Sequence, residues 1–486
     1  MLSTQTKELL TSLTNSQLRR LGDFLNSPYF VTRDAIPKMY KIIYGAYPDF
    51  DSPALESKNI FKKLFPGKKY SEQTIKNLYS DFGNFLKKFI GYEEIRRDDK
   101  NIDQYIVSGI TNLACFEISN KTIEKILTKD NGLLNAAIDF HHFKSLYSML
   151  YVNYGNLNIQ NTPDANRATN NLSETVIIHF LRELFFIKTE EIVSHTNPQN
   201  RAKYLMLETI LSLIDIKKFL KILKKEKHEY ADYLKIHYLF YHYAVNNITE
   251  KQYKDLKILI LGTIRKVSGL EKIHFISRFC QLTHLKLIPK DTKYFKDHFD
   301  MAKLFCELKI YPDKTLPDLF RGVFIDFFTV AMFLREFDWA EKFVDEYGRY
   351  LDKEERDDIV NIRKGILFFK KRNYELSLEY LSKIKIHIVL ENLNIRFYYL
   401  MNYIELKAYE SALSALNSIR QFYSNSREIP ELVLGLIPDS LKYFKEIIRC
   451  EEKKEKIDGL IYAEAHGNKR YYHKQYILEK MEQINT

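Results

Sequence analysis

The chain has 486 residues, of which 45% are hydrophobic and 28% charged, and carries a formal net charge of +11. That length exceeds what one compact core serves, so several subdomains or an elongated array of repeats is expected. With only 16 glycines and 12 prolines the chain has few turn-formers for its length, which argues for long helices; its four cysteines (Cys115, Cys280, Cys306, Cys450) are too scattered for a zinc knuckle or a disulfide framework.

The first helical pattern holds Leu9, Leu10, Leu13, Leu18, Leu21, Phe24 and Leu25, with Thr14-Asn15-Ser16 read as a break and N-cap. Pro28 stops it. A second helix is expected over about 36–44 and a third over 55–64. A turn at Phe65-Pro66-Gly67 follows, and Ser71 is the expected cap of a long helix whose stripe is Ile75, Leu78, Tyr79, Phe82, Phe85, Leu86 and Phe89. Helical period persists through 133–138 and 143–151. Residues 153–171 contain seven asparagines with Gly155 and Pro163, and are read as a linker. Helices resume over 173–187, break at 194–198, and continue over 205–223, 230–245, 256–264, 273–282 and 299–308. No strand-like alternation is visible, so the expected fold class is all-α.

Two phrases near the start, Phe24-Leu25-Asn26-Ser27-Pro28-Tyr29-Phe30 and Ile60-Phe61-Lys62-Lys63-Leu64-Phe65-Pro66-Gly67-Lys68-Lys69-Tyr70, resemble the opening of a helical family of Bacteroidetes-group bacteria. The resemblance covers about the first 90 residues and implies kinship without an activity.

In the last third one pattern recurs. Tyr374 aligns with Tyr409, which puts Phe368 on Tyr403, Ser377 on Ala412, Leu378 on Leu413 and Leu381 on Leu416, an offset of 35 residues. A looser copy begins at Phe337, 37 residues before Tyr374. This spacing resembles the tetratricopeptide repeat, whose helix pairs must stack on neighbours to bury their apolar faces. The resemblance implies an α-solenoid, a superhelix of antiparallel helix pairs with degenerate tetratricopeptide-like repeats. The expected organisation is an N-terminal helical module (1–110), a middle helical region (111–310) and a tetratricopeptide-like region (311–486). Tyr (34) and Phe (33) greatly outnumber the single Trp339, so aromatic packing between helices is expected.

A groove lined by the first helix of each pair would expose Asp326, Arg363, Lys364, Lys370, Arg396, Tyr399 and Asn402, suited to an acidic or extended segment. Arg363, Lys364, Lys370, Arg396, Tyr399 and Asn402 are therefore the expected partner-binding residues. Two lysine-rich stretches offer an alternative. Residues 58–88 hold eight lysines against Glu72 and Asp81, and 201–227 hold eight basic residues against three acidic ones. Lys62, Lys63, Lys68, Lys69 and Lys76 would be the nucleic-acid contacts in that reading, with salt-sensitive affinity. The favoured reading of such lysines is a solvated helix face.

The histidine pairs His141/His142 and His237/His242 lack ligand spacing, and GxSxG, P-loop and GxGxxG motifs are absent. No metal, cofactor or catalytic residue is expected. The start lacks an export signal, and the most apolar windows (256–261 and 324–334) contain Lys257 and Asp326 and are too short to span a bilayer. The overall expectation is a cytoplasmic, non-catalytic scaffold that binds a segment of a protein partner.

Overall fold

A computed structural model describes residues 2–96, 99–129, 140–194, 205–289, 291–311, 317–385, 389–425, 435–468 and 470–486. The expected helical period at 133–138, the break at 195–198, and Arg201 and Lys203 of the second basic stretch lie outside these residues. The described chain is helical, with 24 α-helices and no extended strand. No helix among the described residues is long and apolar enough to cross a membrane. The chain forms two compact units, one of residues 2–129 and 140–179, the other of residues 180–486. This partition differs from the three segments read from the sequence.

The first unit begins with α1 (Thr4–Ser12), α2 (Asn15–Asn26), α3 (Ala35–Tyr44), α4 (Ser57–Leu64) and α5 (Glu72–Ile95). Thr14 caps α2 with a reciprocal capping box to Gln17, and the Ser71 hydroxyl accepts from the Thr74 amide at the start of α5. Both caps were legible as hydroxyl residues ahead of an apolar stripe. Leu18, Leu21 and Leu25 of α2, Ile36, Met39 and Ile43 of α3, and Leu78, Phe82 and Leu86 of α5 meet in one buried core. Gly67, at φ +79°, makes the turn between α4 and α5.

A second cluster joins α6 (Asp99–Asn112), α7 (Phe116–Lys129), α8 (Phe140–Asn156) and the first part of α9 (Pro163–Ser194). Most of the stretch expected to be a linker is therefore helix, and only 157–162 connect α8 to α9. Asn153 is fully buried, and its amide donates to Ser119 Oγ at 3.0 Å and Asn120 Oδ1 at 2.9 Å. An asparagine with partners across the helix interface is a core residue, whatever its local propensity. Pro163 opens α9, where its missing N–H costs nothing.

The second unit continues α9 and adds α10 (Leu205–Leu213), α11 (Ile216–Lys225), α12 (Ala231–Val245), α13 (Glu250–Thr263), α14 (Gly269–Lys286) and α15 (Tyr294–Glu307). It ends with α16 (Pro317–Phe333), α17 (Phe337–Tyr347), α18 (Arg356–Lys370), α19 (Tyr374–Ser382), α20 (Val389–Glu405), α21 (Tyr409–Asn425), α22 (Ile437–Lys453), α23 (Gly459–Gly467) and α24 (Lys474–Asn485). From α14 to α21 each helix packs on the next, and α16, α18 and α20 also touch in succession. Aromatic rings fill these contacts: Trp339 stacks on Phe343 at 4.9 Å between centroids, Phe343 on Tyr347 at 5.1 Å, and Phe324 on Phe343 at 5.2 Å.

The turns at the ends of α16, α18 and α20 share one backbone geometry. The amides of Glu336, Asn373 and Ala408 reach back five residues to the carbonyls of Ala331, Phe368 and Tyr403. Before each, Arg335, Arg372 and Lys407 hold positive φ of 61°, 61° and 57°. This is a Schellman ending, in which glycine is ordinarily favoured because a Cβ strains the left-handed conformation. A cation there gains in return from the helix C-terminal dipole. Lys407 is exposed, so Lys407→Gly is expected to raise stability by about 0.5–1 kcal/mol in urea unfolding. A loss of stability would mean that the lysine charge, rather than the strain, dominates this turn.

Candidate partner-binding groove

Two of these turns, at the ends of α16 and α18, open onto a groove of about 880 Å³, at the large end of the range for ligand pockets. Met332, Phe333, Arg335 and Phe337 line it from the α16–α17 turn, Phe369, Lys370, Lys371, Arg372 and Tyr374 from the α18–α19 turn, and Tyr476, Glu479 and Lys480 from α24. Phe333 is half exposed, and Met332, Phe337, Phe369 and Tyr374 add apolar wall.

The charged groups separate into a paired floor and an unpaired rim. Glu405 on the floor accepts from Tyr476 Oη at 2.8 Å and from Lys480 Nζ at 3.3 Å; Lys480 also meets Glu451 at 3.0 Å. Lys371 is held by Glu341 at 2.6 Å and Asp338 at 3.1 Å. Arg335, Lys370 and Arg372 are exposed and form no ion pair within 4 Å among the described residues. Crowding by protein lowers the Lys370 pKa below the ordinary lysine value; the Glu479 carboxylate counteracts this and the Arg335 charge adds to it. Against these three cations stand Glu479 and the C-terminal ends of α16 and α18, each equivalent to about half a negative charge. The rim stays net positive.

Of the six residues expected to bind a partner, only Lys370 lines this groove. Arg363 is buried, ion-paired with Glu391 and placed over the Phe328 ring at 5.9 Å. Asn402 is fully buried; its amide donates to Ser377 Oγ at 2.9 Å and to the Tyr398 carbonyl at 2.8 Å. These two are corrected to packing residues, because each finds its polar partners inside the helix stack. Lys364 is partly buried in an ion pair with Asp345 at 2.7 Å. Arg396 lies over Phe422 at 4.9 Å and bonds Asn392 at 3.0 Å, and Tyr399 stacks on Tyr403. None of these three lines the groove. Arg335 and Arg372 escaped the sequence reading although a signal existed: Arg372 aligns with Lys407 at the repeat offset of 35, and Arg335 lies 37 before Arg372.

Lys62, Lys63, Lys68 and Lys69 all face solvent, whereas Lys76 pairs with Glu72 at 2.7 Å. Of the cysteines, Cys280 and Cys450 are buried and Cys306 half-buried, but Cys115 is exposed; all four are free thiols. No family model matches the chain, and no curated protein or solved structure is significantly similar to it.

Proposed function

We propose that the protein is a non-catalytic interaction scaffold whose second unit holds an acidic, extended segment of a partner protein in the groove between the α16–α17 turn, the α18–α19 turn and α24. The observation that carries this is the contrast between floor lysines held in ion pairs and the rim residues Arg335, Lys370 and Arg372, which have no ion pair among the described residues. A carboxylate placed there gains two guanidinium forks and relieves the repulsion between Lys370 and Arg335. The exposed ring of Phe333 offers an apolar anchor beside them. The tetratricopeptide resemblance and the succession of α16, α18 and α20 support reading this region as a short degenerate solenoid, a fold that serves mainly to hold peptides.

The combined change Arg335→Glu, Lys370→Glu and Arg372→Glu is expected to weaken binding of a fluorescent acidic, aromatic-containing peptide by at least 30-fold, about 2 kcal/mol. Unchanged affinity in fluorescence polarisation would sink the groove assignment.

A second reading rests on the exposed lysines Lys62, Lys63, Lys68 and Lys69 of α4 and the turn before α5. In it they attract a nucleic-acid backbone, with affinity falling steeply as salt rises. The groove triple variant would leave that binding intact, and charge reversal of the four lysines would abolish it. Lysine offers no planar fork for base edges, so this binding would lack sequence preference.

A further inference from the structure

Cys280 of α14, His298 of α15 and Asp326 of α16 lie far apart in sequence, yet one donor atom from each falls within 4.8 Å of the other two. Cys280 and His298 are buried at 2% and 0% exposure, while Asp326 reaches solvent. His298 Nε2 and Asp326 Oδ2 are 2.6 Å apart. A carboxylate oxygen only accepts, so Nε2 carries the proton of this contact; a metal ion held by both side chains would replace that proton, with the ring's other nitrogen, Nδ1, left outside the coordination. That Nδ1 is buried with no hydrogen-bond partner among the described residues.

We propose that Cys280, His298 and Asp326 bind a borderline divalent cation, zinc by donor preference, with the fourth position open on the Asp326 side. A sulfur, an imidazole nitrogen and a carboxylate oxygen are the zinc donor set, whereas calcium and magnesium select oxygen alone. Bond lengths of about 2.0–2.3 Å put tetrahedral donors about 3.3–3.6 Å apart. The widest donor separations, up to 4.8 Å, must therefore close by as much as about 1.2–1.5 Å, while the 2.6 Å His298–Asp326 contact must open by about 0.7–1 Å. Those are side-chain rotations within a frame of three successively packed helices, α14 on α15 and α15 on α16. A nucleophilic role for Cys280 would need solvent access that a 2% exposed residue lacks.

The test uses the full chain, stripped with chelator and titrated with cobalt(II), which reports thiolate ligation by a sulfur-to-metal charge-transfer band in the near ultraviolet. One cobalt is expected to bind with that band and the strong visible absorption of tetrahedral geometry, and zinc is expected to displace it. Cys280→Ser should remove the charge-transfer band, Cys306→Ser and Cys450→Ser should keep it, and Asp326→Asn should weaken zinc binding by at least tenfold. Folding of each variant is followed by Trp339 fluorescence. Should His298→Gln fail to fold, the Cys280 and Asp326 variants still decide the matter. Absence of the band, its survival in Cys280→Ser, or only the weak spectrum of octahedral cobalt would overturn the proposal.

Discussion

Glu271→Ala is expected to be the most damaging single change in the second unit, at about 3–5 kcal/mol. Glu271 is fully buried on α14, and its Oε1 accepts from Arg182 Nη2 at 3.0 Å, Arg182 Nε at 3.2 Å and Tyr233 Oη at 3.2 Å. Its Oε2 faces His237 Nε2 at 3.4 Å. Burial alone would raise the pKa of this carboxylate; His237, Arg182 and His274 together outweigh burial and hold it down at about 2. Removing the carboxylate leaves Arg182, itself 6% exposed, with Glu183 as its one ionic partner among the described residues. An uncompensated buried charge costs far more than the pair contributes. Glu271→Gln, which keeps an acceptor for Tyr233, should cost less than the alanine.

Because the chain has two units, a global unfolding curve would mix transitions. Trp339, the only tryptophan, is packed edge-on to Phe299 at 4.9 Å and stacked on Phe343, so its fluorescence reports the second unit alone. A Glu271→Ala midpoint within 0.5 kcal/mol (about the scatter of surface substitutions) of the parent would refute the network argument.

The same probe reads a pH dependence. Burial, with nearby cations, lowers His274 from 6.5 to about 4 and His473 from 6.5 to about 3. The unfolded chain therefore binds more protons than the folded one below pH 6.5. Stability is fully present above that value and is lost as pH falls from 6.5 toward 4, continuing toward 3 for His473. Glu271 adds a further loss between 4.5 and 2, since its folded pKa lies below its unfolded one. A Trp339 midpoint that is flat between pH 7 and 4 would contradict both histidine assignments.

Gly365→Val is expected to cost about 2–3 kcal/mol, the second largest effect. A Cβ on Gly365 would fall 2.6 Å from Leu381 Cδ2 and 2.8 Å from its Cγ. Leu381 is 2% exposed and has little room to retreat. The close approach serves a polar spine: Ser377 Oγ donates to the Gly365 carbonyl at 2.7 Å, and the Asn402 amide donates to that same hydroxyl, tying α18 to α19 and α20. Helix propensity pulls the other way, because glycine in a helix interior costs about 0.5–1 kcal/mol relative to alanine. Gly91, with nothing within 4 Å of its Cβ position, isolates that effect. Gly91→Ala should therefore stabilise the first unit slightly, while Gly365→Val destabilises the second. Trimming the neighbour in Gly365→Val with Leu381→Ala should recover part of the loss, and strict additivity of the two changes would argue against the steric account.

The sequence by itself determined the helical class, most helix positions and several caps, because periodicity at 3.6 residues and a hydroxyl ahead of an apolar stripe are local signals. Thr14 and Ser71 behave as their neighbours dictate. The repeat spacing around Tyr374 and Tyr409 likewise marked where helices turn, since both tyrosines open helices. What only the tertiary structure decided is which polar side chains turn inward. Arg363, Asn402 and Asn153 sit on helix faces where local pattern permits either environment, and Glu391, Ser377 and Ser119, each at least 25 residues away, supply the partners that settle it. The groove is of the same kind: Lys370 was legible as a cation, but that it has no ion pair among the described residues while Lys371 and Lys480 are paired depends on Glu341, Glu405 and Glu451 across the helix stack. Cys280, His298 and Asp326 show no ligand spacing along the chain; three successive helices bring their side chains together. Local sequence fixes backbone conformation through short-range sterics and hydrogen bonding, whereas the surroundings of a charged or polar group depend on contacts that form only once the helices pack.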